Sequence, residues 1–241
     1  MKYKLLGNSG LRVSELCLGT MTFGEDWGYG ADENSSREIF NSYLESGGNF
    51  IDTANRYTEG TSEEYIGKFV KESGRRDELV IATKYGLYTK SGRINDSGNH
   101  RKNMVQSLEG SLKRLGLEYV DILYLHIWDF TTPIEEILRA LDDLVRAGKV
   151  LYPAISDTPA WIVSKGNQMA KQMGWSPFVS LQAEYSLITR DAERDLLPMT
   201  QSEGLAFTAW APIAGGALSG KYLNNSEQAG RLKEGSKRLN E

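Results

Sequence analysis

The stretch from Gly116 to Ser156, GLEYVDILYLHIWDFTTPIEEILRALDDLVRAGKVLYPAIS, contains one complete structural unit. Val120 to Leu125 is a short apolar run, interrupted only by Asp121, as suits a strand covered on both faces. Thr132 precedes Pro133, and Glu135 and Glu136 follow, which reads as an N-cap with Pro and acids in a first helical turn. A stretch of helical period covers 133–147, and Gly148 ends it. Val150 to Ile155 is the next apolar run. Strand, helix and strand in this order read as a parallel βαβ unit.

The same rhythm extends in both directions. Apolar runs also occur at Leu16 to Gly19, Asn49 to Thr53, Leu79 to Thr83, Phe178 to Gln182 and Leu205 to Trp210. Helical patterns cover about 33–46, 62–73, 101–115, 158–173 and 190–203. Ser62 and Thr158 read as further N-caps, and Gly116 as a further stop. Ahead of the rhythm, Tyr3 to Leu6 and Leu11 to Ser14 flank the turn residues Gly7-Asn8-Ser9-Gly10, the pattern of a small hairpin.

Alternating βα units build either an open doubly wound sheet or a closed (β/α)8 barrel. No G-x-G-x-x-G follows the first strand, which weakens the doubly wound dinucleotide-binding reading. Polar residues gather instead at the C-terminal ends of several strands, where barrels place active sites. The expected fold is therefore an α/β, (β/α)8 TIM-type barrel with an N-terminal β-hairpin, as a single domain over 1–241. Seven β-runs are visible where a barrel needs eight, so the last unit is expected to be missing after the polar C-terminal segment.

Composition removes several function classes. Hydrophobic residues make up 40% and charged residues 25%, so disorder and collagen are excluded. Net charge is -4, with no basic stripe for phosphates, so no nucleic acid partner is expected. No apolar run approaches membrane-spanning length, so no membrane association is expected either. Cys17, His100 and His126 are the whole Cys/His inventory, too small for a zinc site or a disulfide, and the metal expectation is none. No apolar leader follows Met1, so the chain reads as cytoplasmic, and the triplets at Asn34, Asn95 and Asn224 read as chance glycosylation matches. Oligomeric state is not readable.

Four residues stand out by position. Asp52, Lys84 and His126 end three of the β-runs, and Tyr57 lies five residues past Asp52. Singly, each has an ordinary structural role as a rim charge, a packing ring or a satisfied imidazole. On spacing alone, the catalytic and the structural readings both stay open. Together, in parallel neighbouring strands, they suit proton donation from a phenol. A free tyrosine has a pKa near about 10, and a nearby ammonium favours the phenolate. Lys84 is expected to lower the Tyr57 pKa, Asp52 to hold Lys84, and His126 to orient a carbonyl oxygen. Such a set protonates a developing alkoxide but lacks a hydride source, so a cofactor is implied.

The sequence resembles the aldo-keto reductase superfamily, and within it the branch of bacterial general-stress-type oxidoreductases and potassium-channel β subunits. The resemblance rests on Leu18-Gly19-Thr20-Met21-Thr22-Phe23-Gly24, on Asn49 to Ala54 with Tyr57, Gly60 and Ser62-Glu63, and on Ala82-Thr83-Lys84. It continues through Leu123 to His126, Gly148-Lys149-Val150, Ile155-Ser156-Asp157, Gln182 with Glu184 to Leu187, and Trp210 to Tyr222. It implies NADPH-dependent reduction of an aldehyde or ketone, a small-molecule carbonyl substrate and no metal. Its tetrad falls on Asp52, Tyr57, Lys84 and His126, with Tyr57 as general acid.

The resemblance also implies cofactor residues. Ser156, Asp157 and Gln182 match those that hold the nicotinamide carboxamide, with Asp52 close by. Trp210 matches the residue that stacks on the ring, with Ala211 and Pro212 following. Gly19, Thr20 and Met21 match the loop over the ribose. Gly215, Gly216, Leu218, Gly220 and Lys221 match the loop over the pyrophosphate. The same segment fits a G-x-x-x-x-G-K phosphate loop except that Tyr222 replaces the short hydroxyl, which argues against a nucleotide triphosphatase. Trp27, Tyr88 and Trp128, with Tyr29 and Phe130, are candidates for an aromatic wall of the substrate pocket or for ordinary loop packing. The branch carries Gly where this chain has Ala154. NADP over NAD rests on family habit, because the expected 2′-phosphate segment is not visible. Two alternatives remain from the resemblance: a cofactor-binding redox-sensing subunit with little turnover, or an inactive fragment of a longer reductase.

Overall fold

The structure is a computed structural model that describes residues 1–88 and 93–222. A hairpin, β1 (Tyr3–Leu5) and β2 (Arg12–Ser14), precedes seven strands in one sheet. These are β3 (Leu18–Gly19), β4 (Phe50–Asp52), β5 (Val80–Tyr85), β6 (Val120–Leu125), β7 (Val150–Ser156), β8 (Ser180–Glu184) and β9 (Ala206–Trp210). Every neighbouring pair is parallel, and spatial order equals chain order. Six helices lie in the crossovers: α1 (Glu33–Glu45), α2 (Thr61–Ser73), α3 (Arg101–Leu115), α4 (Ile134–Arg146), α5 (Ala160–Met173) and α6 (Leu196–Glu203).

The sheet is strongly curled. Gln182 Nε2 on β8 donates to Asp52 Oδ1 on β4 at 3.2 Å, although three strands lie between them in the sheet. Strands are about 4.8 Å apart, so a flat sheet would keep those positions nearly 20 Å apart. Only the curvature of a nearly closed barrel brings them into contact, as the (β/α)8-type fold requires. Among the described residues, β3 and β9 are its two ends and do not pair.

Two apolar layers follow. The larger lies between the strands' outer faces and the helices, and includes Phe40, Phe69, Leu108, Leu123, Leu141 and Leu181. The smaller fills the barrel, with Phe50, Val80, Ile122, Tyr124 and Ala154. The hairpin caps that interior from below, contributing Leu6 and Val13. Gly7 makes this docking possible. Its φ is +56°, and a Cβ there would stand 2.5 Å from the Val179 carbonyl oxygen.

Several helix starts differ from expectation. Pro133 and Pro159 take the cap positions of α4 and α5, so Thr132 and Thr158 lie one residue too early. Their hydroxyls turn back to Asp129 and to the Ser156 carbonyl. Gly60 caps α2 in place of Ser62, whose hydroxyl sits inside the fold among Thr20 and Thr53. The stretch 190–203 is a short 3₁₀ turn at Asp191–Glu193, followed by α6. Pro198 has no N–H to give to a preceding turn, so it is accommodated only in the first turn of a new helix. The expected absence of an eighth strand in 223–241, and the Asn224 triplet, lie outside the described residues. No described helix is long and apolar enough to cross a membrane.

Candidate active site

Asp52 is the last residue of β4, and Lys84 is the fifth of the six residues of β5. The register pairs Asp52 with Ala82, so Lys84 extends one step further along its strand. Its side chain is fully buried, yet every ammonium hydrogen has a partner. Lys84 Nζ meets Asp52 Oδ2 at 2.5 Å, the Thr53 carbonyl at 3.1 Å and the Tyr57 hydroxyl at 3.0 Å. A buried ammonium is tolerated only with such pairing. Burial alone would drive the Lys84 pKa down, but the Asp52 carboxylate and Tyr57 hold it above the ordinary lysine range.

Tyr57 corrects an expectation. Its pKa is raised, not lowered: burial pushes the phenol up by more than the Lys84 ammonium draws it down, and Asp52 adds to the rise. Lys84 therefore limits the rise instead of producing a depressed pKa. The phenol stays protonated at neutral pH, which suits an acid.

His126 directly follows β6, and its N–H donates to the Tyr85 carbonyl at 2.9 Å. The ring stands edge-on to Tyr57, with centroids 5.7 Å apart. Burial, with help from the Lys84 charge, lowers its pKa to about 3. The imidazole is therefore neutral. Among the described residues, the buried Nδ1 has no hydrogen-bond partner. A proton there would be an unsatisfied buried donor, so we assign it to Nε2.

The turn carrying Tyr57 is strained. Thr58 and Glu59 have φ values of +45° and +56°. A left-handed non-glycine residue costs about 1–2 kcal/mol. Thr58 offsets part of this by donating to the Phe23 carbonyl at 2.6 Å and accepting from Ser62 N at 3.1 Å. Beneath the site, the buried Glu63 accepts from Thr83 Oγ1 at 2.5 Å and pairs with Arg114 Nε at 2.7 Å, tying β5 to α2 and α3.

The other expected residues occupy the same end of the barrel. Ser156, the last residue of β7, and Gln182, in the middle of β8, are register partners, and both are buried. Asp157 follows with φ +39°, and its Oδ1 accepts from Trp210 Nε1 at 3.0 Å. Trp210 ends β9, opposite Glu184. Thr20 is buried and bonds the Asp52 carbonyl, while Gly19 is exposed and Met21 half-buried. Ala211 has φ +51°, and Pro212 is exposed. Gly215, Gly216 and Gly220 have φ values of +63°, +100° and +82°, so the loop up to Lys221 is a left-handed glycine turn. Lys221 Nζ lies 5.1 Å from the centre of the Tyr222 ring.

The aromatic wall is divided. Trp27 and Tyr88 both lie against the guanidinium of Arg56, the residue before Tyr57. Trp128 is buried in the main core with Phe130 edge-on to it. Its loop is fixed by Asp129, which accepts from Asn99 N, Thr131 N, Thr132 N and Thr132 Oγ1 at 2.7–2.9 Å. Burial pushes the Asp129 carboxyl up, but those bonds hold its pKa at about 2.

Sequence reasoning missed the Gln182–Asp52 bond, the Asp157–Trp210 bond and the Arg56 stack. All three join segments remote in sequence and carry no periodic signal.

The model of the aldo/keto reductase family matches residues 15–239. The chain belongs to the aldo/keto reductase family. Among curated relatives, it is 42% identical to "Norsolorinic acid reductase" of Aspergillus flavus over 98% of this chain and 64% of that protein. It is likewise 42% identical to "Aryl-alcohol dehydrogenase [NADP(+)]" of Phanerodontia chrysosporium, over 96% of this chain and 62% of that protein. "Norsolorinic acid reductase A" of Aspergillus parasiticus is also 42% identical, over 97% and 63%. The chain thus spans somewhat under two thirds of the length of these relatives.

Proposed function

We propose that this chain carries the catalytic end of an NADPH-dependent reductase that converts an aldehyde or ketone to an alcohol. The observation that carries this is the fully partnered chain Asp52–Lys84–Tyr57 beside a neutral His126. The relatives' names add NADP(+) and aryl alcohols for one and norsolorinic acid for the other. The rim rings Trp27 and Tyr88 suit a planar aromatic carbonyl compound.

The residues present fit the cofactor. Ser156, Asp157 and Gln182 supply the mixed donors and acceptors that a carboxamide needs, and Trp210 offers a ring beside them. The glycine turn ending at Lys221 offers backbone N–H groups and a cation to a pyrophosphate. NADPH, when bound there, supplies the hydride.

The protein's part is the proton. His126 donates from Nε2 to the substrate carbonyl oxygen and fixes it near the Tyr57 hydroxyl. Tyr57 passes its proton to that oxygen as negative charge develops on it. Lys84 then stabilises the phenolate, and Asp52 keeps Lys84 in place. Gln182 holds the second Asp52 oxygen, so the carboxylate cannot rotate away.

Tryptophan fluorescence during an NADPH titration, followed by turnover of benzaldehyde and of propanal, tests the reading. Saturable quenching with reduction of either aldehyde supports it. A folded chain that binds no NADPH overturns it.

A further inference from the structure

Arg56 lies directly before Tyr57 and joins three loops at the barrel mouth. Its guanidinium carbon is 5.4 Å from the Trp27 ring centre, in the loop after β3, and 4.8 Å from that of Tyr88, in the loop after β5. It also pairs with Glu59 in its own loop. Glu59 in turn accepts from Trp27 Nε1 at 3.1 Å. The four side chains form one closed cluster: ring, guanidinium, ring, with a carboxylate bridging the first two.

The position of this cluster gives it a task. Glu59 has a φ of +56°, and Thr58 before it a φ of +45°. Those two left-handed residues reverse the chain immediately after Tyr57 and so set its direction. Thr58 is held through its own hydroxyl by the Phe23 carbonyl. Among the described residues, the Glu59 side chain has no such backbone anchor and is held by Arg56 and Trp27. Arg56 is one residue before Tyr57 and Glu59 two after it. An ion pair between them closes a ring of chain around the tyrosine, and the two aromatic rings restrain that closed ring from outside.

We propose that Arg56, acting through Glu59 and set against the Trp27 and Tyr88 rings, is a positioning residue that holds the Tyr57 hydroxyl against Lys84. This rests on the reading of Tyr57 as proton donor. Arg56 touches no reacting atom in this account. A guanidinium suits the place because it stacks flat on rings while its edge binds a carboxylate.

The test uses the chain labelled with ¹³Cζ-tyrosine, with the Tyr57 resonance assigned by its loss in Tyr57→Phe. In Arg56→Met and Glu59→Gln the Tyr57 signal is expected to shift or broaden, and in Arg56→Lys to return toward wild type. The melting temperature of all three is expected to stay within a few degrees of wild type. In turnover, Arg56→Met is expected to lower kcat for propanal about tenfold or more, while the NADPH Kd changes less than about twofold. A Tyr57 resonance in Arg56→Met that superimposes on wild type overturns the proposal. So does a kcat unchanged by Arg56→Met in a chain that Tyr57→Phe inactivates. A fully active Tyr57→Phe chain would instead remove the proton-donor reading beneath it.

Discussion

Lys84 Nζ stands 3.0 Å from the Tyr57 hydroxyl and 2.5 Å from Asp52 Oδ2, so one buried ammonium joins a carboxylate to a phenol. Replacing it separates two effects. In Lys84→Met, the buried Asp52 carboxylate keeps Gln182 as its one side-chain partner among the described residues, which is expected to cost about 3 kcal/mol of stability. The phenolate also loses its counter-charge, and kcat is expected to fall about 10²–10⁴-fold. Urea unfolding and steady-state kinetics on the same preparation check both.

Glu63 and Arg114 serve as the matched control. Their ion pair is also buried, but it ties β5 to the helices on the side facing away from the site. Glu63→Gln is expected to destabilise the fold by about 3 kcal/mol while kcat of the folded fraction changes less than about twofold. A large loss of kcat at intact stability would show that the pair belongs to the catalytic machinery.

Two groups contribute to the acid limb of stability over distinct pH ranges. His126 has a folded pKa of about 3, below the ordinary value of about 6.5. The unfolded chain therefore binds the extra proton first, and stability falls as pH drops from about 6.5 toward 3. The slope is at most about 1.4 kcal/mol per pH unit. Asp129 has a folded pKa of about 2, below its unfolded value. Its contribution is present above about pH 4 and is lost between about 4 and 2. His126→Gln is expected to flatten the upper part of the limb, and Asp129→Asn the lower part, in urea midpoints measured from pH 7 to 3.

Gly216 has a φ of +100°, a conformation that a side chain rarely adopts. A Cβ there would only touch the end of Lys221, at 3.5 Å, so the obstacle is the backbone and not space. Gly216→Ala is expected to weaken NADPH binding about tenfold, a loss of about 1.4 kcal/mol. Melting temperature should fall by only a few degrees, as a local backbone strain of about 1–2 kcal/mol implies. Fluorescence titration checks the first and thermal unfolding the second.

The legible and illegible parts of this fold divide by range. Val120–Leu125 and Val80–Tyr85 are buried at every position, so their sequences are mostly apolar, broken only by Asp121, Thr83 and Lys84, and read as parallel strands. Asp52, Lys84 and His126 stand at strand ends, and parallel order alone brings such ends together. Helix caps were less readable, because Pro133 and Pro159 displace the threonines before them by one residue. The Gln182–Asp52 bond spans 130 residues and exists only because the sheet curls. The direction of the Tyr57 pKa shift was misread because desolvation depends on neighbours that no local spacing reveals. Arg56 carries no local signal in the sequence, since its ring partners come from two other loops.

The central claim is that the Tyr57 hydroxyl is the proton donor. Steady-state reduction of an activated aldehyde such as 4-nitrobenzaldehyde by the Tyr57→Phe chain with NADPH tests it most directly. The account predicts a fall in kcat of about 10²–10⁴-fold, with NADPH affinity unchanged by fluorescence titration. A Tyr57→Phe chain that reduces the aldehyde as fast as wild type would contradict it.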